Sequence, residues 1–210
     1  MFLAKRGRPD VEPAFSYFSA RVKGATENDR SKLEKVLGFL LSTIDDILVL
    51  EADSYNNLYW YIDASFGIHP DMKSYTGSVF ALGKGCISGS STKQKVNARS
   101  STESELIGID DKISKVIWTK KFIENQGYKV NLNIIYQDNT STIKLMNNGK
   151  LSSGKRTRHF DIRLFYVTDL IGRKECIVKY CPTEEMVADY MSKPVVGAKY
   201  KKFRKSILNY

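Results

Sequence analysis

The run NLNIIYQD (Asn131–Asp138) constrains the fold more than any other stretch of the chain. It is mostly apolar rather than alternating, the pattern of a strand covered on both faces. The chain must therefore supply a layer on each side of a sheet. The surrounding segments meet that demand. LYWYIDASF, YTGSVFALG and KGCISGSS read as strands divided by polar or glycine turns, with ILVLEA as a further strand before them. A long helix is expected from Ser101 to Asn125, with Leu106, Ile109, Ile113, Val116 and Ile117 along one side. A short helix from Ser141, another from about Arg158 to Ile171, the strand CIVKYC and helices near Glu185 and Lys199 complete the order. The class is α/β, a layered domain on a mixed sheet.

The first fifty residues follow a helical period instead. Asp10 is a candidate cap and Pro13 sits near a first turn, with Phe15, Phe18 and Val22 at helical spacing. Leu33, Val36, Leu37, Leu40, Leu41 and Ile44 share one broad face of a second helix. Neither helix can bury its stripe alone, so this segment is expected to dock on the rest or to leave the stripe exposed.

Charge narrows the partner. A net charge of +10 and a pI near 9.4 favour a polyanion, nucleic acid before an anionic membrane surface. Cys86, Cys176 and Cys181 form a scattered odd set without CxxC spacing, and there are two histidines. That excludes a disulfide framework and a zinc site, and suits a reducing compartment. No run approaches the roughly 20 apolar residues of a membrane span, and MFLAKRGRPD has no apolar core of a signal peptide.

Three aspartates stand where a structural protein has little use for them. Asp63 lies within an apolar strand, Asp138 closes the buried strand at its carboxyl end, and Asp189 is enclosed by MVADYM. Taken singly, each reads as a cap or a strand-end turn residue; Asp138 before Asn139-Thr140 could cap the next helix. The stretch NARSSTESELIGI adds Glu103 and Glu105. Ser100-x-x-Glu103 is a capping box, which accounts for Glu103 without chemistry. On a helical wheel Glu103 falls with Asp110, Ser114 and Lys121, whereas Glu105 borders the stripe of Ile109, Ile113 and Val116 and points to the sheet margin. Glu105 is therefore the candidate. Four carboxylates at one sheet end repel unless cations separate them. An all-oxygen donor set selects Mg²⁺, with Mn²⁺ as its substitute. Two such ions about 3.5–4 Å apart can activate water at a phosphodiester.

The blocks YIDASFG, TGSVFALGKGCISGSSTKQKVNARSSTESEL, YQDNTSTIKL, RTRHFDIRLFYV and VKYCPTEEMVADYMSKP resemble the ribonuclease H domain of copia-type retrotransposon Pol polyproteins. LAKRGRPDVEPAFSYFSARV resembles the tail of the reverse transcriptase preceding that domain. The resemblance implies a helical reverse-transcriptase tail over residues 1–46, a ribonuclease H-like domain over 47–195 with a mixed five-stranded sheet and flanking helices, and a basic C-terminal helix over 196–210. It places the catalytic and metal-binding carboxylates on Asp63, Glu105, Asp138 and Asp189. It implies an endonuclease that hydrolyses the RNA strand of RNA–DNA hybrids, a partnership with a reverse transcriptase body, and an intracellular setting in the cytoplasm, a virus-like particle or the nucleus. Three departures stand out. Gly89 and Arg99 replace what is more often a bulky apolar residue. YCPTEEMVAD lacks the histidine that cellular enzymes carry before the last aspartate, leaving Glu184 or Glu185 to assist product release. TIDDILVL is not a polymerase aspartate pair, because its aspartates precede the strand.

Lys155, Arg156, Arg158, His159 and Arg163 gather at a helix start, Lys93 and Lys95 flank Gln94, and KYKKFRK adds five cations. A solvated face is the usual fate of such runs. Beside a metal site, Lys93, Lys95, Lys155, Arg156, Arg158 and His159 are the candidates to grip phosphates and 2′-hydroxyls, with Asp161 as the alternative partner of His159. Two other readings compete: a transposase-type nuclease, disfavoured because its acidic order is Asp, Asp, Glu, and an inactive basic nucleic-acid-binding relic.

Overall fold

The computed structural model describes residues 2–67, 72–149 and 161–210. His69, Lys155, Arg156, Arg158 and His159 lie outside the described residues. The strands are β1 (Glu51–Ala52), β2 (Asn57–Ser65), β3 (Tyr75–Ala81), β4 (Gly83–Lys84), β5 (Ser88–Lys93), β6 (Leu132–Gln137) and β7 (Ile177–Tyr180). The helices are α1 (Phe2–Arg6), α2 (Glu12–Ser19), α3 (Glu27–Ser42), α4 (Ser101–Asn125), α5 (Thr140–Asn148), α6 (Asp161–Gly172), α7 (Asp189–Ser192) and α8 (Gly197–Leu208). No described helix is long and apolar enough to cross a membrane.

Five strands form one mixed sheet, as expected, and their order is β5-β3-β2-β6-β7. β5, β3 and β2 run antiparallel, while β6 and β7 join parallel to β2. Alternation along β2 separates the two layers. Leu58, Trp60 and Ile62 pack with Leu106, Ile109, Ile113 and Val116 of α4 and with Leu164 and Val167 of α6. Trp60 stacks on Phe80 with ring centroids 4.4 Å apart. The other layer joins Val79 and Cys86 to Tyr190, Met191, Phe203 and Ile207, so α8 is part of this core. All three cysteines are buried and unpaired.

Several expectations need correction. ILVLEA is not a strand of the main sheet: Glu51–Ala52 alone pair, with Gly83–Lys84, because Val49 N is already bonded to the carbonyl of Leu208. Near Glu185 the chain makes a turn, closed by Glu185 N on the carbonyl of Pro182, and the helix starts at Asp189. Asp10 is not a cap: α2 has no side-chain cap, and the Asp10 carboxylate is paired with Arg8 and Arg204. Asp138 is not a cap either. Asn139 caps α5, accepting from Ser141 N at 3.0 Å and Thr142 N at 3.1 Å.

The N-terminal segment docks through polar contacts. Ser16 Oγ donates to the carbonyl of Ser91 at 2.7 Å, and Tyr190 Oη donates to that of Asp10 at 2.8 Å. The outer stripe of α3 is exposed at Leu33, Leu37 and Leu41, and Ile44, expected on the same helix face, lies beyond the helix end and is exposed too.

Candidate active site

The sheet register brings the first carboxylate into place. Asp63 pairs with Gly77 across β2 and β3, and Gly77 pairs with Ser91 on β5. Gly77 is required there. A Cβ would stand 2.5 Å from the Ala188 carbonyl oxygen and 2.6 Å from Ser192 N, so only glycine lets α7 press onto this rung. Asp138 follows the last residue of β6, the parallel neighbour of β2, and so reaches the same sheet end. Helix α4 crosses the sheet and delivers Glu105 from its first turns.

Ligand oxygens of Asp63, Glu105 and Asp138 lie within 4.8 Å of one another, and this is the one such group of potential metal ligands among the described residues. Glu105 Oε2 accepts from Ala64 N at 2.9 Å and from Gln137 Nε2 at 3.0 Å. Gln137 is fully buried. Its amide nitrogen also reaches the Ile62 carbonyl at 3.3 Å, and its oxygen accepts from Asn139 N at 2.8 Å. Asp138 Oδ2 accepts from Thr183 Oγ1 at 2.9 Å. Asp63 accepts a short hydrogen bond from Ser192 Oγ.

Glu103 turns away from this group. Its backbone N–H donates to Ser100 Oγ at 3.2 Å, and its carboxylate accepts from Arg99 N at 2.7 Å. The reach-back therefore lands on Arg99, one residue before the cap expected for a capping box.

Asp189 stands apart from the group of three. Lys193 Nζ lies 2.7 Å from its Oδ1 and Lys199 Nζ 2.9 Å from its Oδ2, and the carboxylate is fully buried. Lys193 Nζ is also 3.6 Å from Asp63 Oδ2. Lys193 lines an open hollow together with Asp63, Ser101, Glu105, Asp138 and Asn139.

The charges are crowded. Burial, and then the nearby Asp189 and Asp138, push the Asp63 carboxyl up to about 6 against the opposing pull of Lys193. Burial and Asp63 raise the Glu105 pKa well above the usual value. Burial opposes the charge on Lys193, but Asp63 and Asp189 outweigh it and its pKa is raised. Carboxylates forced toward protonation, carrying only hard oxygen donors, fit a divalent cation such as Mg²⁺ or Mn²⁺.

Lys93 and Lys95 are exposed on either side of buried Gln94, whose amide donates to Thr76 Oγ1 at 3.0 Å and to the Ser104 carbonyl at 2.9 Å. Lys93 pairs with Tyr75, which pairs with Ser65, so it occupies the same sheet end as Asp63. Of the C-terminal cations, Lys199 serves Asp189, and Arg204 serves Asp10 and Asp46. Arg163 pairs with Asp110.

Sequence reasoning missed Gln137, Ser192, Lys193 and Gly77. Two of them carried a signal: Gln137 is a polar side chain inside an apolar strand, and Lys193 stands four residues after Asp189.

No protein-family model matches the chain. It is similar to retrovirus-related Pol polyproteins from transposon TNT 1-94 of Nicotiana tabacum, 29% identical over 92% of this chain, and RE2 of Arabidopsis thaliana, 28% over 95%. The Ty1-JR1 Gag-Pol polyprotein of Saccharomyces cerevisiae is 29% identical over 67% of the chain. The chain spans 14% of the length of the first two and 8% of the third. Among solved structures, LC11 ribonuclease H1 isolated from compost aligns over 65% of this chain and 93% of its own, with a TM-score of 0.42 and 12% identity. Ribonuclease H1 of Halobacterium salinarum aligns over 65% and 94%, with a TM-score of 0.40 and 11% identity. The resemblance to retrotransposon Pol polyproteins therefore holds along nearly the whole chain.

Proposed function

We propose that this chain is a metal-dependent endonuclease that hydrolyses the RNA strand of RNA–DNA hybrids. One observation carries the reading: Asp63, Glu105 and Asp138, drawn from two parallel strands and the helix across them, converge at one sheet end with no structural duty that explains all three. The similarity to Pol polyproteins agrees with it. Asp63, Glu105 and Asp138 would hold the cation, with Asp189 as the fourth carboxylate of the set. When bound, Mg²⁺ or Mn²⁺ would polarise the scissile phosphate and lower the pKa of an attacking water.

The chain's own residues orient and grip. Ala64 N and Gln137 fix the Glu105 carboxylate, and Ser192 fixes that of Asp63. Lys93, set at the same sheet end, and exposed Lys95 after it would take backbone phosphates of the hybrid. Lys155, Arg156, Arg158 and His159 are proposed to extend that grip. The turn with Glu184 and Glu185, the proposed aids to product release, touches Asp138 through Thr183. A reverse transcriptase body remains the proposed partner, in an intracellular setting.

A second reading, binding without turnover, is favoured by one observation: both oxygens of Asp189 are engaged by lysines. A labelled RNA–DNA hybrid incubated with the full chain, with and without Mg²⁺ or Mn²⁺, separates the two. Metal-dependent loss of full-length RNA supports the enzyme. Retention of intact hybrid under both metals supports the binding protein.

A further inference from the structure

Gln137 is the last residue of β6, and the strand alternation that sends Ile135 into the core beneath α4 sends Gln137 to the same side. Its backbone carbonyl accepts from Cys181 N at 2.9 Å, and its side chain is fully buried. A buried amide needs a donor opposite its oxygen and acceptors opposite its nitrogen. Two backbone groups decide which end is which. Asn139 N can only donate, at 2.8 Å, so the amide oxygen faces it. The Ile62 carbonyl can only accept, at 3.3 Å, so the nitrogen faces β2. The second hydrogen of that nitrogen is then directed to Glu105 Oε2, 3.0 Å away.

We propose that Gln137 is a positioning residue that ties Glu105 to the turn carrying Asp138, and that this tie makes the site prefer a small divalent cation to a larger one. The proposal rests on the reading of Asp63, Glu105 and Asp138 as a metal site, and names the group that sets two of those ligands relative to one another.

Both ends of the tie are visible. On the Glu105 side, Oε2 accepts from Ala64 N at 2.9 Å as well as from Gln137, while no described residue donates to Oε1. Oε2 is thus committed to the fold, and the carboxylate cannot turn without breaking buried hydrogen bonds. On the Asp138 side, the bond from Asn139 N back to Gln137 closes a turn around Asp138. Asn139 Oδ1 accepts in turn from Ser141 N at 3.0 Å and Thr142 N at 3.1 Å, which fastens that turn to the start of α5. One buried side chain therefore spans α4, β2 and the turn between β6 and α5.

Preference follows from stiffness. Mg²⁺ holds its oxygens at about 2.0–2.1 Å in near-octahedral order, whereas Ca²⁺ accepts them at about 2.3–2.6 Å in flexible order. Carboxylates that repel one another spread when they are free to, and a wider set suits the larger ion. Anchoring Glu105 and Asp138 to the two ends of one amide opposes that spreading.

The test reads affinity rather than turnover. Mn²⁺, standing in for Mg²⁺, and Ca²⁺ are titrated separately into the full chain by calorimetry. Wild type is compared with Gln137→Met, Asp138→Asn and Arg204→Met, all checked for folding by near-ultraviolet circular dichroism. Gln137→Met keeps the length of the side chain and removes both ends of the amide. Arg204 belongs to the Arg8–Asp10–Arg204–Asp46 clasp between segments, outside the hollow of the three carboxylates, so Arg204→Met reports what a loss of stability alone does. Gln137→Met should bind Mn²⁺ about tenfold more weakly or worse, the usual cost of losing a group that orients a metal ligand, and Ca²⁺ no more than about threefold more weakly. Its preference for the smaller ion then falls by about threefold or more, while Arg204→Met keeps both affinities within about twofold of wild type. Unchanged Mn²⁺ affinity in Gln137→Met, equal losses for the two ions, or the same loss in Arg204→Met would overturn the proposal and leave the metal site in place. No Mn²⁺ on wild type, or binding untouched by Asp138→Asn, would overturn the metal site itself and the proposal with it. Should Gln137→Met not fold, Gln137→Asn, whose amide is drawn back from Glu105 by one methylene, takes its place with the same criteria.

Discussion

Asp10 and Arg204, 194 residues apart in the chain, form a buried ion pair at 2.9 Å. Arg8 joins from the other side, giving two hydrogen bonds of 2.9 Å to the same carboxylate. Arg204 also donates to Asp46 Oδ2 at 2.6 Å, and Arg8 donates to the Thr43 carbonyl and hydroxyl, each at 2.8 Å. The Phe39 ring lies 5.7 Å from the Arg8 guanidinium and 5.0 Å from that of Arg204. The first helices, the end of α3 and the last helix are thereby joined at one point.

Arg204→Met should cost roughly 3–5 kcal/mol, the usual penalty for removing one partner of a buried pair. Asp10→Asn combined with Arg204→Met should cost less than the sum of the single changes, because the Asp10–Arg204 interaction is lost in each single variant and can be lost only once in the double. Urea unfolding of the four proteins measures both. Deleting residues 1–46 should likewise lower stability, and an unchanged midpoint would show that the clasp contributes nothing.

The opposite side of α3 behaves differently. Leu37, Leu41 and Ile44 are exposed beside Ile47 and Leu50, an apolar surface of the kind that promotes association. Leu37→Glu with Leu41→Lys should reduce concentration-dependent association in sedimentation velocity. It should leave the unfolding free energy within about 0.5 kcal/mol of wild type, since the replaced side chains are not in the core.

Glu103 and Glu105 should separate cleanly. Glu103→Ala removes a carboxylate that satisfies Arg99 N at the start of α4, so it should cost about 1 kcal/mol of stability and leave Mn²⁺ affinity unchanged. Glu105→Gln should lose Mn²⁺ affinity by tenfold or more without destabilising the metal-free protein. Loss of metal binding in Glu103→Ala alone would reverse the assignment.

This pair shows what the sequence could reveal. A capping box and a helical wheel are local rules; spacing accounts for Glu103 and leans toward Glu105, and the family resemblance completes the choice. The layered α/β class also followed from local pattern, because one apolar strand demands a layer on each face, whereas the strand order in the sheet did not. The surroundings of Asp189 did not. Lys199 reads as part of a charge run and Lys193 as an ordinary surface lysine, and only the fold brings both to Asp189, with Lys193 also 3.6 Å from Asp63. Gly89 shows the same limit. The space a larger side chain would fill is taken by Met191, whose methyl group would lie 2.8 Å from a Cβ there. The Arg8–Asp10–Arg204–Asp46 clasp links opposite ends of the chain, a distance over which no periodicity speaks.

The metal-free protein should lose stability as pH rises through the range in which Asp63 ionises. Its folded pKa of about 6 lies above the unfolded value, so between roughly pH 4 and 6 the folded state binds more protons than the unfolded one. Stability is then greatest below the unfolded pKa and falls by on the order of 3 kcal/mol as pH passes through the folded value. Glu105, raised for the same reasons, acts in the same direction. Urea midpoints at pH 4, 5, 6 and 7 in the presence of a chelator measure the slope. Asp63→Asn should flatten it, and saturating Mn²⁺ should reverse it, because the ion binds the ionised carboxylates. A slope equal in wild type and Asp63→Asn would remove Asp63 as its source.

Asp138→Asn separates catalysis from binding. The substitution keeps the size of the side chain and an oxygen that can accept from Thr183, but removes one negative charge from three carboxylates crowded within 4.8 Å. Relief of repulsion should leave the metal-free fold as stable as wild type or slightly more so. Hybrid cleavage in Mg²⁺ or Mn²⁺ should fall by at least a hundredfold, because an anionic ligand has been lost. Hybrid binding should persist, since phosphate contacts from Lys93, Lys95 and the other basic residues carry it, and it should weaken steeply with salt in both proteins. Filter binding across a salt series and a cleavage gel under both metals are the measurements. If wild type and Asp138→Asn bind alike and neither cuts, the catalytic reading fails and the chain is a binding protein on a nuclease-like scaffold.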